Sequence, residues 1–180
     1  MTPPSYAWLD SVGPLPRLVA EGLKLVGVHE SAGPADSPVI MGWAKEVGLA
    51  SAYSGDEVPW CGLFMAVVAK RAGKAVPADP LWALNWLKFG EPSPVPGLGD
   101  VLAFQRKLPG GGVAGHVGIY IGEDATAFHV LGGNQSDAVT ITRVERSRLR
   151  GARRLYAVAA PASARPYQLA GGGALSTNEA

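Results

Sequence analysis

Asp56-Glu57-Val58-Pro59-Trp60-Cys61-Gly62 runs directly into Leu63-Phe64-Met65-Ala66-Val67-Val68, and the reading of the fold starts from this stretch. An extended, proline-containing segment turns into a helix, because Leu63, Phe64, Val67 and Val68 recur at helical spacing. Cys61, the single cysteine in 180 residues, stands at the start of that helix. A thiol there feels the partial positive charge of the helix N-terminus, which favours thiolate over thiol. Lone cysteines also serve as small buried hydrophobes, so position alone leaves both roles open.

Outward from this helix, the N-terminal part of the chain is helical. Residues 1–14 read as an irregular lead-in rich in proline and serine. Leu15, Leu18, Val19, Leu23 and Val26 predict an amphipathic helix from Leu15 to about Val28. A polar turn, His29 to Pro34, follows; Ser37 is placed to cap a second helix with Pro38 at its first position, ending at Gly48. The cysteine helix is expected to stop near Gly73, and Asp79 to cap a short, tryptophan-rich fourth helix that breaks at Gly90. Pro92, Pro94 and Pro96 then read as a stiff connector.

After Gly99 the pattern changes to strands: Val101–Phe104, His116–Ile121, Ala127–Leu131, Val139–Val144 and Arg154–Val158, with a glycine-rich loop over 107–112. Helices first and an antiparallel meander after them define an α+β class. Residues 15–160 form one domain on this reading, and residues 161–180, dominated by Ala, Pro, Ser and Gly, a flexible or partner-docking tail.

Composition narrows the function. The net charge of +1 argues against nucleic-acid binding by bulk electrostatics, and the local run Arg143, Arg146, Arg148, Arg150, Arg153, Arg154 reads as a solvated face. A hydrophobic content of 47% supports a real core, yet no apolar run approaches the roughly 18 residues of a membrane span. No basic-then-apolar leader is visible at the N-terminus, so a secretion signal is not expected. His29, His116 and His129 have no metal-ligand spacing, and neither metal nor cofactor is expected.

A nucleophilic cysteine needs a base, and the base needs an orienting partner. His116 begins a strand after the small residues Ala114 and Gly115, where it can face a thiol at a helix start. For the partner two candidates stay open: Asn134, after two glycines that allow close approach, and His129 amid apolar residues.

Trp60-Cys61-Gly62 on a helix, Gly115-His116-Val117-Gly118-Ile119-Tyr120 on a strand and a polar residue on the next strand resemble the NlpC and CHAP superfamily. Its members are papain-like cysteine peptidases and amidases that cut bacterial peptidoglycan. The longer stretches Asp56 to Gly62 and Leu131-Gly132-Gly133-Asn134-Gln135-Ser136-Asp137 resemble a phage and prophage branch of it. Glu30, Gly33-Pro34, Ile40, Trp43 and Trp86 before Gly90 fit the same branch, and the resemblance covers residues 15–158.

The resemblance implies a papain-like fold with helices packed on a small antiparallel sheet of about five strands. Cys61 would be the nucleophile with its backbone amide in the oxyanion site, His116 the base and Asn134 the orienting residue. His129 is the alternative, since many NlpC-type enzymes carry a histidine about a dozen positions after the base. Trp60, Tyr53 and Glu57 are the expected substrate-binding residues, with Trp82 and Trp86 as further candidates for the groove wall.

The implied function is a peptidoglycan hydrolase: a cysteine peptidase or N-acetylmuramoyl-L-alanine amidase, either endolysin or tail-tip entry enzyme. It would be virion-associated or cytoplasmic before release and act in the periplasm or cell wall, with phage tail-tip proteins as possible partners of the tail. The competing expectation is a non-catalytic component of a phage-like tail assembly that uses the same fold for binding. An acyltransferase or deamidase is a third.

Overall fold

The computed structural model describes residues 2–31, 35–108 and 111–177. Gly33-Pro34 and parts of the expected 29–34 turn, 107–112 loop and 161–180 tail lie outside the described residues.

Three α-helices come first: α1 (Arg17–Leu23), α2 (Pro38–Glu46) and α3 (Cys61–Arg71). From Cys61 to Ala69 every residue of α3 is buried. A helix apolar on all sides belongs inside, and α3 packs against α1, α2 and the sheet, which α1 also touches. Both α2 and α3 end as expected. Gly48 and Gly73 take positive φ, and the amides of Leu49 and Lys74 reach back to Ala44 O and Ala69 O.

The six strands are β1 (Glu91–Pro92), β2 (Val101–Lys107), β3 (Val113–Glu123), β4 (Ala127–Gly132), β5 (Thr140–Glu145) and β6 (Leu149–Arg154). They form an open antiparallel sheet in the order β1-β6-β2-β3-β4-β5. The helix-side core includes Val101, Val117, Ile119, Ile121 and Leu131. On the other face Leu102, Phe104, Tyr120, Phe128, Val130 and Val144 make a second core. Apolar residues on both faces explain why β4 is buried throughout instead of alternating.

Several expectations are corrected. The sheet has six strands, the sixth arising where only a connector was read: Glu91 and Pro92 pair with Arg154 and Arg153. Pro92 is tolerated there because β1 is an edge, where a missing N–H breaks no ladder. The last strand is Leu149–Arg154, five residues earlier than expected, because Val101 to Phe104 take their partners from it.

The first helix ends at Leu23, not Val28. Tight three-residue bonds close the chain beyond it, and Gly27 and Val28 pair with Val139 instead. Asp79 does not cap a helix. It takes φ +47°, and a 3₁₀ helix begins later, over Ala83–Lys88. Ser37 precedes α2 but makes no side-chain cap; its amide donates to Asp56 Oδ2 at 2.8 Å. The lead-in holds a 3₁₀ helix, Pro4–Ser11, anchored by buried Leu9.

The arginine run is not a uniformly solvated face. Arg143 pairs with Asp124, Arg154 with Asp100, and Arg153 donates to Phe89 O and Gly90 O. In the tail, Tyr167 and Leu169 bond to Glu123, and the Ser176 amide to Arg143 O. No helix among the described residues is long and apolar enough to cross a membrane.

Candidate functional site

Cys61 occupies the first position of α3, before the first intrahelical bond from the Phe64 amide to Trp60 O. Its neighbour Gly62 is a geometric requirement. A Cβ there would sit 2.2 Å from Pro80 O and 2.7 Å from Leu81 O. The absence of that Cβ lets the 80–82 segment cross the helix start and form one wall of a cleft of about 620 Å³. Cys61, Pro59, Trp82, Arg106, Val113 and Gly115 are among the cleft residues.

His116 lies on β3, buried, opposite Phe104 on β2, and the two rings stack with centroids 6.3 Å apart. Its Nε2 is 3.1 Å from Gln135 Oε1. The Gln135 amide nitrogen donates to Thr140 O at 2.7 Å and Val130 O at 3.2 Å. Those two carbonyl acceptors assign the amide's orientation, leaving Oε1 as the atom that faces His116. Because Oε1 can only accept, Nε2 carries the imidazole proton and Nδ1 is the basic nitrogen.

Two consecutive glycines lie between His116 and α3. A Cβ on Gly132 would lie 3.2 Å from His116 Nε2 and 2.9 Å from Gln135 Oε1. One on Gly133 would lie 2.6 Å from Phe64 Cβ and 2.7 Å from the Trp60 ring. The strand exit is therefore pressed against His116 on one side and the first turn of α3 on the other.

The other candidates fall in different places. Asn134 is next to Gln135, buried, in left-handed backbone at φ +54°. His129 belongs to a separate network, with Nε2 3.0 Å from Asp124 Oδ2 and Nδ1 2.7 Å from Tyr6 Oη. The side chain held against the His116 ring is that of Gln135, which the sequence reading passed over. A second amide side chain directly after Asn134 was the available signal, but a turn with Asn134, Ser136 and Asp137 all at positive φ scrambles strand alternation.

Trp60 and Tyr53 do not wall the cleft. Both are buried: the Trp60 indole donates to Glu30 Oε1 at 2.6 Å and the Tyr53 hydroxyl to Val58 O at 3.1 Å. Trp86 is also core, while Trp82, 50% exposed, lines the cleft. Burial lifts the Glu30 carboxyl above its ordinary range, the Trp60 hydrogen bond opposing it.

Glu57 is exposed, and with Asp36 and Asp56 it brings carboxylate oxygens within 4.8 Å of one another. Two of these three fasten the loop before α3: Asp56 accepts from the Ser31 and Ser37 amides, and Asp36 from the Asp56 amide. Burial would raise the Asp56 carboxyl, but the Ser31 and Ser37 amides outweigh it and hold it below the ordinary range. His29 caps Glu30 O through Nδ1, so the three histidines are in three separate settings.

No protein-family model matches the chain, and no curated protein matches it.

Proposed function

We propose that the chain is a cysteine hydrolase of the bacterial cell wall, cutting an amide bond of peptidoglycan, with Cys61, His116 and Gln135 as its working set. The observation that carries this reading is the His116–Gln135 bond, which puts the proton on Nε2 and the base on Nδ1. The single thiol of the sequence stands at a helix start in a cleft large enough for a peptide segment, and Gly115, the neighbour of His116, lines the same cleft.

In this mechanism His116 Nδ1 takes the Cys61 proton and Sγ attacks the amide carbonyl. Negative charge developing on the carbonyl oxygen is met by backbone amides at the start of α3, that of Cys61 first. The His116 proton passes to the leaving amine as the C–N bond breaks. Water, deprotonated by the same nitrogen, then hydrolyses the thioester and returns the thiol. Peptidase and amidase differ here only in which amide the cleft accepts. A role at a phage tail tip or in lysis, and a papain-like fold of the NlpC and CHAP kind, belong to the same proposal and rest on the motif resemblance.

Trp82, Leu108 and Val113, exposed by 50%, 38% and 41%, make an apolar cleft rim that favours a second reading, a non-catalytic assembly component. Digestion of Gram-negative-type peptidoglycan by the wild type and Cys61→Ala, with mass spectrometry of the fragments, separates the two. The hydrolase reading expects fragments from the wild type alone, their masses naming the bond. No cleavage by either, with Cys61 inert to iodoacetamide at neutral pH, would leave the assembly reading.

A further inference from the structure

The helix that begins at Cys61 ends beside a second cavity of about 470 Å³, whose lining includes Leu15, Pro16, Arg17, Lys74, Tyr156 and Val158. Because α3 has 11 residues, this cavity lies about 16 Å along the helix axis from Cys61. Two cations line it, and none of its described lining residues is acidic.

Arg17 is exposed at the start of α1, its Nη1 3.6 Å from where a Cβ on Gly73 would stand. Among the described residues it is in no ion pair. Lys74, by contrast, is held. Its Nζ donates to Leu155 O and lies 4.9 Å from the centre of the Tyr156 ring. An ammonium has three protons, so two are left for another acceptor. Burial, and after it the charge of Arg17, push the Lys74 ammonium below its ordinary range.

Nearby negative groups are already engaged. Asp100, whose charge reaches Tyr156, is buried and paired with Arg154. At the end of α3, Ala69 O and Lys70 O accept from the Lys74 and Gly73 amides. Two like charges so placed, one partly out of water, repel each other until an anion comes between them. A guanidinium fork takes two oxygens and the fixed ammonium a third. A tetrahedral phosphoryl group supplies three, a carboxylate only two. We propose that Arg17 and Lys74 hold a phosphoryl group at the far end of the cysteine helix, in a site independent of the chemistry at Cys61.

Calorimetric titration of the full chain with inorganic phosphate at low ionic strength tests this. Arg17→Gln and Lys74→Gln are each expected to weaken binding about tenfold. Lys45→Gln removes an exposed charge outside the cavity and should change it by less than about twofold. Arg17→Gln breaks no ion pair of the fold, so its loss reports on binding. Acetate is expected to bind far more weakly. No phosphate binding, binding that Arg17→Gln leaves unchanged, an equal loss in Lys45→Gln, or acetate bound as tightly overturns the proposal. Flotation with phosphatidylcholine vesicles, with and without phosphatidic acid, separates the sources. Flotation that needs both phosphatidic acid and Arg17 assigns a lipid headgroup, and phosphate binding without it a soluble phosphoryl compound.

Discussion

Gln135 Oε1 accepts from His116 Nε2 at 3.1 Å, while the same amide group donates to Thr140 O and Val130 O across the strand exit. One side chain thereby sets the tautomer of the histidine and ties the turn after β4 to β5. Under the proposed mechanism Gln135→Ala lowers kcat about 10- to 100-fold, the cost of losing a partner that orients the base. Asn134→Ala stays within a few-fold of wild type, and His129→Ala acts on stability through the loss of Asp124 and Tyr6. Peptidoglycan turnover and thermal unfolding of the three variants check this. A more crippling loss of turnover in His129→Ala or Asn134→Ala would remove Gln135 from the site.

Cys61→Ala is expected to abolish turnover with the fold intact, because alanine suits the first turn of a buried helix. His116→Ala should cost about as much, since a nucleophile and its base act as one unit. The double variant tests this: its loss should equal that of either single change instead of their product.

The two glycines separate activity from stability. At Gly132 an added methyl meets Gln135 Oε1 at 2.9 Å and His116 Nε2 at 3.2 Å, so Gly132→Ala should push the pair apart and depress kcat. At Gly133 the methyl meets Phe64 Cβ at 2.6 Å, and Gly133→Ala should destabilise the fold by about 1–3 kcal/mol through overpacking. Urea unfolding beside turnover distinguishes the two outcomes.

Among the tryptophans, position predicts opposite effects. Trp82 is half exposed at the cleft, so Trp82→Ala should raise KM and leave stability nearly unchanged. Trp60 is buried and bonded to Glu30, so Trp60→Phe should lower stability by about 1 kcal/mol through loss of that part-buried bond to a carboxylate.

Acid sensitivity should centre on Asp124. The Arg143 guanidinium, aided by Thr126 and His129 against the opposing effect of burial, holds its carboxyl well below the usual range. A depressed folded value means that the unfolded chain takes up the proton first. The stabilisation is therefore full above about pH 4 and is lost as pH falls further. Asp124→Asn should unfold about 3 kcal/mol more easily at neutral pH, because it breaks a buried ion pair, and should lose less additional stability on acidification. Urea midpoints at neutral pH and about pH 3 measure both. An unchanged acid slope in the variant would reassign the sensitivity.

Local patterns in the sequence were sufficient for the α+β order, the glycine stops of α2 and α3, the buried helix beginning at Cys61 and the strands carrying His116 and His129. These depend on periodicity and on the few residues that tolerate positive φ, which neighbours along the chain determine. Tertiary structure alone decided which side chain meets His116. Three positive-φ residues in the turn after β4 break the strand's alternation, so one position along the chain separates Asn134 from the bond that Gln135 makes. It likewise made a strand of Glu91–Pro92, since edge pairing depends on what β6 leaves open rather than on local propensity. It also buried Trp60 and Tyr53 while leaving Trp82 at the cleft, because the same apolar character serves a core or a wall until the packing chooses.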